Sequence, residues 1–438
     1  MACCLPLSAT SQVNNSTNSP RTNFASVLLA RRSETDPRSL GKNFRHVWLS
    51  VLVSSSGDGM FVTAFPLLAA LLTKDPVLIA GVTISTRLPW LLFSLPTGAI
   101  ADRMNRRRLM IGADIVRLVI VGLLGASILF DAVNIWMLYL SAFALGACET
   151  LHVNAAQALL PSLVEERHLL TANARFSTAQ IVSTQFIGPP AGVALFTVGH
   201  SLPFLVDAAT FGLSAALVSR IPHRPIVEKP TSRFRDDIVE GLRFMRDSKA
   251  LRRLTEIVAV INFFYFAAAS LFVLYVEELL DSGEIVFTAL SVGAALGTVA
   301  SRFFVDPTTR RFGFTRTITF SMWLWGVATV GLAFAIHPIF AISMNVVLGF
   351  GTGLWIAVNS TLRQQFTPDR LLGRMNAAFR MISWGVVPFG ALFGGVLARI
   401  FDVRAPFIVA AVATMTSAIF ARRLLRPVEE LIGDKTSQ

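Results

Sequence analysis

A few ionisable residues lie inside long apolar runs of this 438-residue chain. Asp58 stands between two glycines, and Arg87 lies at a comparable depth in the next apolar run. Glu149 and His152 are three residues apart, so they share one face of a helix. Charged side chains are costly in an apolar environment and usually serve a function there. A carboxyl group whose surroundings alternate between water and a cation can take up and release a proton, so these four residues are candidates for proton coupling.

Asp58 is the first choice for the coupling carboxylate, because its glycine neighbours allow close helix approach and Arg87 is level with it. The alternative is that Asp58 and Arg87 form a permanent structural ion pair. Glu149 is the second choice, with His152 as its expected partner. Asp207, a further acidic residue in an apolar run, is interpreted as structural.

The composition indicates which elements hold these residues. Hydrophobic residues make up 53% of the chain and charged residues only 15%, below the roughly 25% typical of soluble domains. A helix needs about 20 mostly apolar residues to cross a bilayer. The chain has twelve such segments, and their continuously apolar character argues against the alternating strands of a closed barrel. They span residues 46–73, 77–101, 109–131, 134–158, 177–199, 200–220, 254–280, 285–305, 317–336, 338–362, 376–400 and 404–424.

Basic residues fall almost entirely on one side of these segments. Of the 39 Lys and Arg residues, 33 lie in the two terminal tails and in alternate loops, and Arg87, Arg117 and Arg380 lie within the segments. Only Lys74, Arg399 and Arg404 fall on the opposite side. Because cytoplasmic loops are enriched in Lys and Arg, both termini are predicted to be cytoplasmic in a multi-pass protein of the plasma (inner) membrane. The net charge of +12 is therefore a topology signal in contact with the lipid bilayer, and no nucleic-acid partner is expected.

The chain divides into two related halves. "LLTANARF" (169–176) before the fifth segment resembles "LLGRMNAAF" (371–379) before the eleventh. Six segments per half give both halves the same orientation, as in transporters built from parallel repeats. The predicted fold is all-α and integral to the membrane, with twelve transmembrane helices in two six-helix parallel-repeat halves around a central cavity. The predicted domains are a disordered tail at 1–43, helical halves at 44–220 and 254–424, a linker at 221–253 with an amphipathic helix, and a tail at 425–438.

The loop between the second and third segments, "GAIADRMNRRR" (98–108), resembles the signature loop of the major facilitator superfamily. Asn105 stands where the family usually has a second glycine, and we expect it to adopt the left-handed backbone of a tight turn. The resemblance implies that the loop's carboxylate latches the halves shut on the cytoplasmic side, near Asn376 and Arg380. Asp114 and Arg117 are expected to brace this loop. The alternative is that the arginines only anchor the topology. The residues on the signature positions are Gly98, Asp102, Arg103, Arg106 and Arg107.

Gly188, Pro189 and Gly192 in the fifth segment form a Gly-Pro-x-x-Gly motif, similar to the antiporter signature of the same superfamily. Pro weakens the helix and Gly admits a neighbouring backbone, so a bend could seal the cavity during exchange. An ordinary packing kink is the alternative. Together with "WLSVLVSSSGDGMFVTAFPLL" and "TRLPWLLFSLPTGAIADR", the motif resembles the macrolide-efflux and enterobactin-exporter-like branch of drug:proton antiporters. Exporters of that branch often carry a functional Arg in the fourth segment. This chain has no Arg there and has Glu149 and His152 instead.

The resemblance implies a secondary active transporter that exports an amphipathic small molecule (drug-, macrolide- or siderophore-like) by alternating access, coupled to protons. A monomer is expected. No metal or other cofactor is expected, because the His and Cys residues are scattered and no Gly-rich Lys loop for ATP occurs. An importer or facilitator on the same fold is the alternative, followed by a non-transporting receptor; without a nucleophile–base pair in the segments, an enzyme is not expected. Aromatic residues could wall the substrate cavity, and about a third of them are expected to line it. These are Phe61, Phe65, Trp90, Phe263, Phe264, Tyr265, Trp325, Trp355 and Trp384.

Overall fold

The computed structural model describes residues 40–165, 168–222, 234–368 and 371–425. Helices follow the apolar segments, because a helix satisfies its own backbone polar groups where a bilayer offers no water. The helices up to residue 222 are α1 Lys42–Leu72, α2 Pro76–Arg103, α3 Arg106–Leu129, α4 Ile135–Leu159, α5 Leu169–Val182, α6 Gly188–Val198 and α7 Leu202–Ser219. The later helices are α8 Phe234–Asp247, α9 Lys249–Ala269, α10 Phe272–Leu274, α11 Glu284–Phe312, α12 Phe314–Ala333, α13 Pro338–Phe366, α14 Leu372–Gly385, α15 Val387–Ile400 and α16 Ala405–Leu424.

Within the described ranges, eight helices are long and apolar enough to cross a membrane. The number is nine if the bent pair Lys249–Ala269 and Phe272–Leu279, whose parts meet at 44°, counts as one span. Helices cover all twelve predicted ranges, but α4, α12 and α16 are not among these eight. The all-helical membrane fold is therefore confirmed. The number of twelve spans and their division into two repeat halves remain predictions.

Polar side chains determine where helices begin in the first half. Asp75 Oδ1 accepts the backbone N–H of Val77 at 2.8 Å and caps α2. Asn105 Oδ1 accepts the backbone N–H of Arg108 at 3.0 Å and caps α3. Such caps satisfy N–H groups that the first helical turn leaves unpaired. Because the φ angle of Asn105 is −64°, the expected left-handed turn is wrong, and this residue begins α3 as an N-cap instead.

Glycines bring helices into backbone contact both within the first half of the chain (α1–α7) and within the second half (α9–α16). A methyl group at Gly188 of α6 would lie 2.5 Å from the Cα of Gly59 in α1, closer than any side chain allows. In the later part of the chain, Gly390 of α15 lies directly against the backbone of Phe263 in α9. Small residues permit this close approach, which strengthens van der Waals packing between helices in lipid. The site residues on α1 and α9 are thereby held by close helix pairs.

The two halves meet at the end of the bundle that holds the 73–75 loop, which is the predicted outer end. Here α2 packs against α15. Lys74 forms an ion pair with Glu277, and Arg399 Nη1 lies 3.6 Å from Asp75 Oδ2. Exposed ion pairs of this kind contribute roughly 0–1 kcal/mol each. These two ion pairs therefore add little to the energy of the packing that joins α2 and α15 at this end.

The helix α8 lies in the predicted linker and packs against α14 and α9. Glu240 forms an ion pair with Arg374 of α14, and a methyl group at Gly241 would lie 2.5 Å from the Arg374 carbonyl oxygen. Met245, one residue of its predicted apolar face, is buried. The apolar face of α8 therefore contacts protein, in addition to any contact with the inner leaflet.

Candidate functional site

A cavity of about 630 Å³ lies between the two halves. The wall contributed by α1 to α7 carries all the ionisable side chains that line it except a tyrosine. The wall contributed by α9 to α16 is aromatic and neutral, with Tyr265, Phe266, Trp325 and Phe407. The volume suits a drug-sized molecule, since ligand pockets typically measure about 300–1,000 Å³. The ionisable side chains in the lining, besides Tyr265, are Asp58, Arg87, Arg117, Glu149 and Asp207.

Asp58 of α1 and Arg117 of α3 form an ion pair at the edge of this cavity. The side chain of Asp58 is 26% exposed, whereas Arg117 is buried. Arg117 Cζ also lies 3.9 Å from the ring centroid of Phe211 in α7, and its Nη1 lies 3.7 Å from Asp114 Oδ1. The guanidinium thus lies between two carboxylates and an aromatic ring. A buried cation requires such partners, because an isolated charge is expensive away from water.

Asp114 lies at the centre of a second layer of this network. It is fully buried, and Ser214 of α7 donates a hydrogen bond to its Oδ2 at 2.6 Å. His152 Nε2 of α4 lies 3.4 Å from Asp114 Oδ1. The expectation that Asp114 and Arg117 brace the signature loop is therefore wrong for Arg117, which contacts Asp58 and the cavity. The three-residue spacing did correctly place Asp114 and Arg117 side by side.

Arg87 does not pair with Asp58 as expected. Its guanidinium lies over aromatic rings of the opposite half, 5.8 Å from the centroid of Phe266 and 5.6 Å from that of Trp384. Asp58 and Arg87 lie at similar depths along their helices, but they face different neighbours. Asp58 faces α3, where Arg117 is its ion-pair partner. Arg87 instead crosses the cavity from α2 and contacts the aromatic wall.

Glu149 and His152 also have different partners from the expected ones. Glu149 lines the cavity, and Trp90 Nε1 donates to its Oε2 at 3.4 Å. His152 turns towards Asp114 and is buried. Both residues lie on one face of α4, but Glu149 contacts Trp90 of α2, whereas His152 contacts Asp114 of α3.

The signature loop is described only in part. Arg106 Nη1 donates to the carbonyl oxygen of Ala158 at 2.8 Å, and Arg107 donates to the carbonyls of Val218 and Ser219. These carbonyls end α4 and α7, so the arginines bind helix termini that carry partial negative charge.

The predicted latch cannot be placed in the same way. The side chains at positions 98, 102 and 103 lie outside the described part of the structure, so the roles of Gly98, Asp102 and Arg103 stay predictions. At its expected docking site, Asn376 Oδ1 accepts a hydrogen bond from Arg363 Nη1 at 3.2 Å. Arg380 lies on α14 with an exposed side chain.

The Gly-Pro-x-x-Gly motif begins α6 directly after a π-helical turn at Ser183–Ile187. Gly188 contacts Gly59, and a methyl group at Gly192 would lie 2.8 Å from the Cα of Met60. Pro189 lines the cavity. The motif therefore joins α6 to α1 beside Asp58, which places it at the charged wall.

The aromatic candidates separate into cavity-lining and packing residues. Trp325 packs in the wall, with its ring 5.9 Å from that of Tyr265 and 5.8 Å from that of Trp355. Trp90, Phe263, Phe264, Trp355 and Trp384 are not part of the lining. Phe264, for example, packs edge-on against Phe393. Those that line the cavity are Phe61, Phe65, Tyr265 and Trp325.

The sequence interpretation missed the position of Arg117 and the exposure of Asp207 to the cavity lining. Asp207 is 1% exposed and contacts the cavity from α7. The sequence held one usable signal for Arg117, since it shares a helical face with Asp114 in "ADIVR". A lone aspartate in an apolar run has no spacing pattern, and nothing else in the sequence marked Asp207.

An all-helical membrane bundle that encloses a drug-sized cavity with buried charge defines a multi-pass transporter of small molecules. The chain belongs to the transmembrane secretion effector family of the major facilitator superfamily, whose model matches residues 39–437. It is 25% identical to the multidrug efflux pump Tap of Mycolicibacterium fortuitum over 378 residues, 83% of this chain and 90% of the relative. It is 21% identical to macrolide efflux protein A of Streptococcus pyogenes over 362 residues, 81% of this chain and 89% of the relative.

Solved structures show a similar fold. The nucleoside transporter NupG gives a TM-score of 0.69 at 10% identity, covering 87% of this chain and 98% of that one. A bacterial homologue of the iron transporter ferroportin, in an inward-facing state, gives 0.69 at 15% identity over 87% of this chain and 98% of its own. At these identities the likeness concerns the fold alone.

Proposed function

We propose that this protein is a proton-coupled exporter of amphipathic small molecules that works by alternating access. The observation that carries the proposal is the cavity between the halves, with the Asp58–Arg117 ion pair on one wall and aromatic rings on the other. The relatives named as a multidrug efflux pump and a macrolide efflux protein support export of such molecules. The proposed substrate is therefore drug- or macrolide-like.

The ion pair supplies a physical route for coupling. When Asp58 binds a proton, its attraction for Arg117 is lost, and the guanidinium can move towards another carboxylate. When Arg117 returns, it favours the ionised form of Asp58 and drives the proton out. The cavity would open to one side of the membrane when Asp58 is protonated and to the other side when Asp58 is ionised. Proton movement would then be linked to substrate movement. Gly59 and Gly188 bring α1 and α6 into contact, and Asp58 lies directly beside this contact because it precedes Gly59.

The aromatic wall offers a surface for the substrate. Tyr265 is 37% exposed and its ring stacks on Trp325, so a flat apolar group could lie against it without a rearrangement of the wall. Glu149 adds a carboxylate on the opposite side. A molecule with one apolar face and one polar or basic group fits this distribution.

Everted membrane vesicles test the coupling. Asp58→Asn should abolish pH-gradient-driven uptake of a radiolabelled macrolide, while exchange of the macrolide without a gradient persists. Asp131→Asn is the matched control, because Asp131 is an exposed acid in a loop whose positive φ of 53° asparagine tolerates. Uphill transport by Asp58→Asn at the wild-type rate would remove Asp58 from the mechanism. The same loss in Glu149→Gln alone would assign the role to Glu149.

We also propose that both termini are cytoplasmic in the inner membrane, on the basis of the basic residues. A single cysteine at Ser282, next to the predicted outer ion pairs, should react with an impermeant thiol reagent in intact cells. A single cysteine at Lys249, at the start of α9, should react only after the cells are opened. Labelling of the Lys249 variant in intact cells would contradict this orientation.

A further inference from the structure

Asp207 is a buried carboxylate that the proposed coupling through Asp58 does not use. It lies on α7 in the lining of the cavity and is 1% exposed. Thr210 Oγ1 lies 2.7 Å from the backbone carbonyl oxygen of Asp207, to which its hydroxyl donates, and 3.2 Å from the carboxyl oxygen Oδ1. On the other side the carboxylate presses against Gly57 of α1, where any side chain would overlap it. Among the described residues, no Lys, Arg or His nitrogen lies within ion-pair distance of it.

The groups that face Asp207 come from three neighbouring helices. Asp58 of α1 follows directly after Gly57, and Asp114 and Arg117 lie on α3. Phe211, one helical turn after Asp207, has the Arg117 guanidinium over its ring, so the guanidinium lies on the face of α7 that carries Asp207. On α4, His152 lies behind Asp114, and Glu149 lines the same cavity as Asp207. The remaining neighbour, α6, has no titratable side chain.

The charges of this cluster do not balance if every acid is ionised. It contains the three carboxylates Asp58, Asp114 and Asp207, against the guanidinium of Arg117 and the imidazole of His152. Even with His152 protonated, one negative charge is left over. Arg117 is bound to Asp58 and approaches Asp114, and His152 approaches Asp114. A buried carboxylate without a cation takes up a proton, since that costs less than burying the charge.

We propose that Asp207 holds a proton in this conformation, and that Asp58 and Asp207 alternate as the ionised partner of Arg117. A proton from cavity water binds to the Asp58 carboxylate, the Asp58–Arg117 pair opens, and Arg117 pairs with Asp207. As the cavity then opens to the opposite side of the membrane, the proton of Asp207 passes to water on that side. One proton binds and one leaves, so the charge of the cluster is unchanged and no buried charge is left without a partner. This relay deepens the proposed proton coupling and rests on it.

Infrared spectroscopy of the purified protein tests the protonation without a substrate. At neutral pH the wild type should show the C=O absorption of a protonated carboxylic acid, and Asp207→Asn should lack it. Thr210→Val should shift this absorption, because it removes the hydroxyl oxygen that lies 3.2 Å from the Asp207 carboxyl group and leaves Asp58 and Arg117 untouched. Thr197→Val is the matched control and should cause no shift, since the Thr197 hydroxyl bonds only to its own helix at Ala194. An absorption that is absent in the wild type, or unchanged by both Asp207→Asn and Thr210→Val, would overturn the proposal.

A second experiment covers the case in which Asp207→Asn folds poorly. Gly57→Ala should displace the Asp207 carboxylate and shift the same absorption, whereas Gly112→Ala on α3, where the added methyl meets no atom within 4 Å, should not. In proteoliposomes, Asp207→Asn and Gly57→Ala should lose pH-gradient-driven accumulation of a radiolabelled macrolide, while exchange without a gradient remains within about twofold of wild type. Accumulation lost in Asp58→Asn but intact in both of these variants would reject the relay alone. A wild type that ignores the pH gradient would reject proton coupling, and the relay with it.

Discussion

The two walls of the cavity differ in chemistry. The wall from the first half carries Asp58, Arg117 and Asp207, and a second layer with Asp114 and His152 lies behind it. The wall from the second half carries aromatic rings together with Ser, Thr and Asn side chains and, among the described residues, no charged group; its Trp325 donates a hydrogen bond within that half, at 2.7 Å to Thr352 Oγ1. Charge is thus concentrated on one side of the cavity, and an uncharged, aromatic-rich surface lies on the other. This difference separates a wall suited to protons from a wall suited to the substrate.

The largest effect should follow from removal of the cation of the charged wall. Arg117→Met leaves Asp58 and Asp114 without their guanidinium, and breaking a buried ion pair from one side costs roughly 3–5 kcal/mol. We expect little folded protein, measured by size-exclusion chromatography after heating. Arg87→Met is the control, because among the described residues no carboxylate lies within ion-pair distance of Arg87. Equal loss of folded protein in both variants would show that its ion pairs do not make Arg117 more important for folding than Arg87.

A smaller effect should follow on the aromatic wall. Tyr265→Ala removes an exposed ring that stacks on Trp325, and an aromatic contact contributes roughly 0.5–1.5 kcal/mol beyond its buried area. Binding of a radiolabelled macrolide should weaken about two- to tenfold, with an unchanged dependence of transport on the pH gradient. Tyr265→Phe keeps the ring and should bind like wild type. A change of the pH dependence with unchanged affinity would contradict the separation of the two walls.

The third prediction concerns Arg87, which lies in the charged wall and contacts aromatic rings of the second half. Arg87→Gln should change macrolide affinity by a few-fold, because cation–π contacts contribute roughly 0.5–1 kcal/mol when partly exposed. If Phe266 and Trp384 are the cause, the effect should disappear in a Trp384→Leu background, where the substitutions act on a shared contact. Additive effects of Arg87→Gln and Trp384→Leu would show that Arg87 acts without its ring partner.

The smallest effect is expected outside the cavity, at the signature loop. Asp102→Asn should leave the protein folded and inserted and slow macrolide export by a few-fold, because a weaker latch favours the state that is open to the cytoplasm. A cysteine at Asn376 should then react faster with a thiol reagent in everted vesicles. Unchanged export and reactivity would mean that the loop arginines serve as anchors, as the bonds of Arg106 and Arg107 to helix ends also allow.

The sequence predicted those features that depend on one segment at a time. Apolar length gave the helices, and the three-residue spacing gave the contact of Asp114 with Arg117. Partners on different helices were predicted poorly: depth along the chain suggested Arg87 for Asp58, although α3 supplies Arg117 instead. The position of a residue along a helix predicts its depth in the bundle. The direction in which its side chain points depends on how that helix is rotated against its neighbours. Asp207 was missed for the same reason, because its significance comes from neighbours on α1 and α3.

The attachment of α8 to α14 determines where the first half of the chain ends and the second half begins. Glu240 and Gly241 attach α8 to Arg374 of α14, so α8 belongs with the second half of the chain. Eleven residues, 223–233, separate the described part of the first half from Phe234, and a chain of that length reaches at most about 36–40 Å when fully extended. Because the chain is continuous, this length sets an upper limit on how far the described chain after α7 can lie from the start of α8.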